Sequence, residues 1–180
     1  MKKILVIGSG GAGKSTFAKR LGELLGINVV HLDRLHWQPG WVEPSKAEWA
    51  ETVNELISRE AWVMDGNYSG TLERRLAECD TVVFLDLPPM VCLWRVLKRL
   101  VQYRNASRPD MAEGCHEHFD LEFLFWVASY RLRTRPKIIA LLQQCEEKNI
   151  VWLRSANEVN QYFRAQETAR QQRLDYEPFN

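Results

Sequence analysis

Eight consecutive residues, Gly8-Ser9-Gly10-Gly11-Ala12-Gly13-Lys14-Ser15, constrain this chain more than any other stretch. They fit GxxxxGK[ST] in full. A short β-branched apolar run, Lys3 to Ile7, precedes them. Phe17, Leu21, Leu24 and Leu25 follow at the spacing of one helix face, and Gly26 is placed to stop that helix. Strand, glycine-rich turn and helix, in that order, is the setting in which a turn wraps a phosphate. Glycines let successive amides converge, the helix start adds partial positive charge, the lysine reaches the β- and γ-phosphates, and the hydroxyl ligates Mg²⁺. Gly8, Ser9, Gly10, Gly11, Ala12, Gly13, Lys14, Ser15 and Thr16 are therefore candidate nucleotide-binding residues. Lys14 doubles as a catalytic cation, expected to be solvent-facing in the empty protein, and Ser15 as a metal ligand.

Further apolar runs at Asn28–Leu32, Ala61–Met64, Thr81–Leu85 and Asn149–Leu153 read as strands. Helical patterns separate them. Ser45 and Glu48 make a capping box ahead of Trp49, Val53, Leu56 and Ile57. Met90–Tyr103 carries Leu93, Leu97 and Leu100 on one side, and Pro136 opens a helix with Ile138, Leu141, Leu142 and Cys145 inward. Phe119–Tyr130 is almost uniformly apolar, which predicts burial or packing on a partner. Ser155 and Glu158 start a last helix, expected to fray beyond about Glu167. Alternating strands and helices predict an α/β three-layer sandwich around a five-stranded parallel sheet, of order 2-3-1-4-5. Residues 1–180 suffice for a single domain. Within it, about 34–60 would form an acceptor arm, and the polar, aperiodic stretch 104–118 would begin a helical lid reaching about 135.

Composition excludes several classes. Lys plus Arg is 24 and Asp plus Glu 23, a net charge of +1, too little for a protein that coats nucleic acid through its general field. No run approaches the apolar length of a membrane span, and the apolar stretch in MKKILVIG is too short for a secretory signal. The four cysteines form no CxxC pair, which favours a reducing cytoplasm.

Ligands in parallel sheets sit beyond the carboxyl ends of the strands. Asp33, Asp65 and Asp86 stand there. Asp33 is the candidate acceptor-orienting or proton-accepting carboxylate, and Asp65 the candidate metal carboxylate. Asp86, before Leu-Pro-Pro, reads as a turn cap. Trp37, Trp41, Gly66 and Asn67 would line the acceptor pocket, with Gly66 letting a substrate approach the backbone. Arg95, Lys98, Arg99 and Gln102 share a helix face, and Arg131, Arg133, Arg135 and Lys137 follow. Residues 94–137 hold nine basic and five acidic side chains. Arg95, Arg99 and Arg131 are candidates to stabilise a migrating phosphoryl group. Cys115-His116-Glu117-His118 contains metal-capable types at a spacing that fits no structural zinc pattern. His31 and His36 read as structural.

GSGGAGKST, HLDRLHWQPGW, WVMDGNYSGTLERRL, TVVFLDLP, LWRVLKRL, RPDMAEGCHEHFDLEFL and RLRTRPKI together resemble the adenylate-kinase-related branch of the P-loop kinases. More closely, they resemble the bacterial proteins labelled DNA topology modulation proteins. The resemblance implies a P-loop NTPase fold with a mobile lid and use of ATP and Mg²⁺. It matches Asp65-Gly66 to the Asp-Gly that holds metal and acceptor, Arg95 and Arg99 to two phosphate-touching arginines, and Arg131, Arg133 or Arg135 to lid arginines by placement only. The chain departs at DGNY, where adenylate kinases have DGFPR, so the acceptor is expected to be an uncharged small molecule or nucleoside. The expected activity is phosphotransfer from Mg-ATP to a small-molecule, nucleoside- or nucleotide-like acceptor. The alternatives are a nucleic-acid-associated ATPase, which the charge does not favour, and a nucleotide-binding regulator with slow hydrolysis.

Overall fold

The computed structural model describes residues 1–103, 110–115, 118–145 and 147–176. Five strands, β1 (Lys3–Gly8), β2 (Val29–His31), β3 (Trp62–Asp65), β4 (Thr81–Leu85) and β5 (Asn149–Leu153), form one parallel sheet in the order β2-β3-β1-β4-β5. This is the order expected from the sequence. Eight helices accompany them among the described residues: α1 (Lys14–Leu25), α2 (Leu32–His36), α3 (Lys46–Ile57), α4 (Ser69–Glu78), α5 (Pro89–Gln102), α6 (Leu121–Arg133), α7 (Arg135–Gln143) and α8 (Ala156–Tyr176).

The central strand explains the continuous apolar run. Ile4 and Val6 face one layer, with Phe17, Ala18 and Leu21 of α1 and Phe163 of α8. Leu5 and Ile7 face the other, with Val53 and Leu56 of α3, Leu72 and Leu76 of α4, and Leu142 of α7. The side chains of Ile4, Leu5, Val6 and Ile7 are all fully buried, so alternation disappears and both faces read as apolar. The capping box at Ser45 and Glu48 forms with both reciprocal bonds, and Gly26 closes α1 in the left-handed conformation.

Several elements differ from the sequence expectation. Helix α4 was not visible in the pattern, because its inward face is Thr71, Leu72, Arg75 and Leu76, half of it polar. Helix α2 begins where strand β2 was expected to continue, so Asp33 lies in the first turn of a short helix. Along α5, Cys92 and Val96 are the buried positions while Leu97 is exposed. Helix α8 continues past Glu167 to Tyr176, through residues of good helix propensity such as Gln, Glu, Ala and Arg. Helix α6 buries Val127 and Tyr130 but turns Leu121, Phe125 and Leu132 outward.

Parts of the expected arm and lid pack against the rest of the fold. Of residues 34–60, α3 contributes Trp49, Val53, Leu56 and Ile57 to the core. Of residues 104–135, α6 packs against α5, and a Cβ on Gly10 would meet Phe123 and Val127. Helix α6 thus lies against the glycine-rich loop. Residues 104–109, 116 and 117, on which the rest of the lid reading and part of the Cys-His-Glu-His cluster rest, lie outside the described residues. Among the described residues, no helix is long and apolar enough to cross a membrane.

Candidate active site

The loop between β1 and α1 is built around glycine. Gly11 has φ +74, and a Cβ there would run into the Cys92 carbonyl of α5. Gly13, at φ 95, is the N-cap of α1 and supplies no side-chain cap. The first amides of α1 therefore lack side-chain partners and open toward the cleft, which suits an anion. Lys14, however, is half-buried at the cleft rather than freely solvent-facing as expected. Its Nζ donates to the Ser9 carbonyl at 3.0 Å. Enclosure lowers its pKa, with Asp33 and Asp65 pulling the other way and Arg99 adding to the depression. A long side chain at the start of a helix has this carbonyl within reach, and the curled loop presents it. Gly10, Gly11, Gly13, Lys14, Ser15 and Thr16 line the cleft, whereas Gly8, Ser9 and Ala12 are buried beneath it.

The cleft measures about 720 Å³. Its far wall comes from α2 and the loop after it, from the β3–α4 connection, and from the segment before α6. Asp33, Trp37, Trp41, Gly66, Asn67, Tyr68, Asp110, His118, Phe123 and Trp126 face it. Arg95 and Arg99 stand beside the glycine-rich loop. Arg95 donates to the Ala12 carbonyl at 3.3 Å, and the Arg99 guanidinium lies 5.8 Å from the Phe123 ring centre.

Asp65 is 4% exposed, at the end of β3 between β2 and β1. Its Oδ1 lies 3.0 Å from His31 Nδ1, and the hydrogen bond it accepts from the imidazole raises the His31 pKa against the opposing effect of burial. Its Oδ2 has no partner. Asp65 is not itself among the cleft-lining residues, but a buried, half-satisfied carboxylate whose charge acts on Lys14 fits Mg²⁺, which takes one or two protein oxygens and completes its shell with phosphate and water. Among the described residues, no group of three or more His, Cys, Asp or Glu could hold a metal ion by itself.

Asp33 accepts a 2.7 Å hydrogen bond from the Tyr68 hydroxyl. Burial and the neighbouring Asp33 push the Tyr68 pKa upward, so the phenol keeps its proton. Tyr68 itself is held at φ 32, a costly conformation for a residue of this size. What holds it is Arg75, a residue the sequence analysis did not single out. Arg75 is fully buried and donates to the carbonyls of Gly66 (2.9 Å), Tyr68 (3.0 Å) and Asn67. Desolvation drives its pKa down to about 10. The missed signal was a basic residue on the apolar face of α4.

Two acceptor assignments change. Asn67 lines the cleft, but its amide is committed to the loop: Oδ1 accepts from Gly8 N–H at 3.1 Å and Nδ2 donates to the Gly8 carbonyl at 2.7 Å. Gly66, at φ +130, leaves room for Leu32 and Tyr68, whose atoms a Cβ would approach to 3.0–3.2 Å. Its lack of a side chain serves packing. Arg131 is not among the residues lining the cleft; it is exposed in the last turn of α6, where a cation suits the carbonyl end of a helix. Arg133 lies 5.0 Å from the Phe125 ring centre, and Arg135 pairs with Asp86 at 2.8 Å. Asp86 also accepts from Trp152 Nε1 at 3.0 Å, which ties β4 to β5 and α7. His36 is 8% exposed among Trp37, Trp49 and Tyr68.

This strand order, with a glycine-rich loop between β1 and α1, is the three-layer P-loop NTPase fold. Among solved structures, the chain is similar to shikimate kinase from Acinetobacter baumannii in complex with shikimate (TM-score 0.54, 18% identity, 99% of this chain and 96% of that one). It is likewise similar to shikimate kinase from Bacteroides thetaiotaomicron (TM-score 0.50, 19% identity, 92% and 96%). No protein-family model matches the chain, and no curated protein matches it.

Proposed function

We propose that this protein transfers the γ-phosphoryl group of ATP to a hydroxyl of a small molecule. The observation that carries the reading is one cleft with the glycine-rich loop and Lys14 on one wall and Asp33 on the other, close enough that Asp33 and Asp65 both act on the Lys14 charge. ATP phosphates would sit on amides of the Gly10–Thr16 segment other than that of Ala12, which donates to the Ser9 carbonyl, and on Lys14, releasing Lys14 from the same carbonyl. Ser15 and Asp65 would hold Mg²⁺, which neutralises phosphate charge. Asp33 would take the acceptor proton as the new O–P bond forms and the bond to the ADP oxygen breaks. Tyr68 fixes one Asp33 oxygen and leaves the other to face the acceptor. Arg95 and Arg99 would meet charge on the migrating group.

The test is a screen of nucleosides, nucleotides and small alcohols with γ-labelled ATP. The expected result is label on one acceptor class, lost in Lys14→Met. No labelled acceptor, with ATP hydrolysis indifferent to Asp33→Asn, would overturn the reading in favour of a nucleotide-binding regulator.

A further inference from the structure

Helices α5 and α6 lie side by side. Arg99, near the end of α5, lies over Phe123, near the start of α6. Cys92, in the first turn of α5, and Val127, a turn further along α6, reach Gly11 and Gly10. The two helices therefore run antiparallel, as a hairpin. Both bury one face in the same core cluster, α5 through Cys92 and Val96 and α6 through Val127. Their opposite faces look away from the sheet.

Those outer faces are apolar. On α5, Met90, Trp94, Leu97 and Val101 recur at i, i+4, i+7 and i+11. On α6, Leu121, Phe125, Ala128 and Leu132 recur at the same intervals. At 3.6 residues per turn, each set occupies an arc of about 60°. Every one of these residues is exposed, Val101 at 80% and Leu132 at 82%. The two stripes together expose on the order of 900 Å², more than the largest apolar patch of an ordinary monomer. A standard protein interface covers about 800 Å² on each partner. The spacing points to the occupant. Intervals of four, three and four are those of a helix seam. A membrane surface is met by a broad apolar arc, whereas an arc this narrow fits between the side chains of another helix. Two adjacent seams call for two adjacent helices, and a second copy of the same hairpin supplies them. A twofold axis makes such a patch self-complementary.

We propose that two copies of this chain pair through α5 and α6 about a twofold axis, burying both stripes in a four-helix bundle. The inference is independent of the kinase reading. The inner faces of the same helices back the glycine-rich loop, through Arg95 on the Ala12 carbonyl and Phe123 against Gly10. The loop of each copy therefore lies one helix layer from the seam.

The experiment is sedimentation equilibrium on the full chain, without nucleotide, from about 1 to about 100 μM. The expected mass is twice 21.0 kDa. Val101→Glu and Leu132→Glu each place a charge in the seam twice, once per copy, and should raise the dissociation constant at least about a hundredfold. Both side chains are exposed in the single chain, so each variant should keep the circular dichroism spectrum of the parent protein. Should one of them fail to fold, the other decides. Val42→Glu, at an exposed apolar position in the connection between α2 and α3, should leave the mass doubled. A parent protein of 21.0 kDa throughout this range overturns the proposal. So does a dimer that neither seam variant weakens, or one that Val42→Glu also splits. A monomer that pelleted with phosphatidylglycerol vesicles, and lost this in Val101→Glu, would assign the face to a membrane surface and equally overturn it.

Discussion

Asn67 clasps the Gly8 peptide from both sides, Oδ1 accepting its N–H and Nδ2 donating to its carbonyl. A side chain from the end of β3 thus fixes the first residue of the nucleotide loop, at the point where β1 stops pairing with its neighbours. Asn67→Ala removes two partly buried hydrogen bonds, a loss of about 2 kcal/mol. It should lower the melting temperature and weaken ATP binding together. Calorimetry that finds ATP affinity intact would show the loop holds its shape without the clasp.

Arg75 carries the same logic one layer deeper. Its guanidinium gathers three successive carbonyls of the β3–α4 connection without any carboxylate partner. Arg75→Lys keeps the charge but loses the planar fork. Tyr68 should then be released from its left-handed conformation, raising KM for the acceptor while KM for ATP changes little. Arg75→Met leaves the carbonyls unpaired and should destabilise the fold by on the order of 3 kcal/mol. Equal effects of Arg75→Lys on both KM values would reduce the residue to general stability.

Lys14→Met should abolish tight triphosphate binding, yet the melting temperature should stay level or rise. The ammonium is desolvated in the empty protein, which depresses its pKa; its enclosure opposes folding until a phosphate arrives. A clear fall in melting temperature would mean that the bond to Ser9 outweighs desolvation.

The sequence made the sheet order and the glycine-rich loop legible because both rest on strong local signals, β-branched runs and an unbroken motif. It hid α4, whose buried face contains Thr71 and Arg75, and so hid the residue that shapes the acceptor loop. For a related reason it did not show that the Asn67 amide is bound to Gly8 or that Arg131 is exposed outside the cleft lining. Residue type announces what a side chain can bind, but only the fold decides whether Gly8 or solvent has claimed it first. Asp86 was expected to cap a turn, but its carboxylate is bound by Arg135 and Trp152, which are distant in sequence and left no trace there.

His36 supplies a pH dependence. Burial lowers its pKa, against weaker opposing pulls from Glu43 and Asp33. The folded state therefore holds it neutral while the unfolded chain takes up a proton near pH 6.5. Its contribution to stability is present above that pH and is lost as pH falls through the folded pKa. His36→Phe should flatten the decline in melting temperature between about pH 7 and about pH 5 relative to the parent protein. Parallel declines would assign the acid sensitivity to other groups.

Asp33 and Tyr68 make the sharpest test of the chemistry. In the 2-3-1-4-5 order, β2 and β3 end on one side of β1, and their continuations bring Asp33 and Tyr68 to the cleft wall facing Lys14. If Asp33 accepts the acceptor proton, Asp33→Asn should retain Mg-ATP affinity and lose about 10²–10⁴-fold in transfer. Collapse of Mg²⁺ and ATP affinity would instead assign Asp33 to the metal. Tyr68→Phe separates orientation from charge. It removes a 2.7 Å hydrogen bond to one carboxylate oxygen and should cost about tenfold in kcat. A kcat unchanged from the parent protein would mean that this hydrogen bond does not orient the carboxylate.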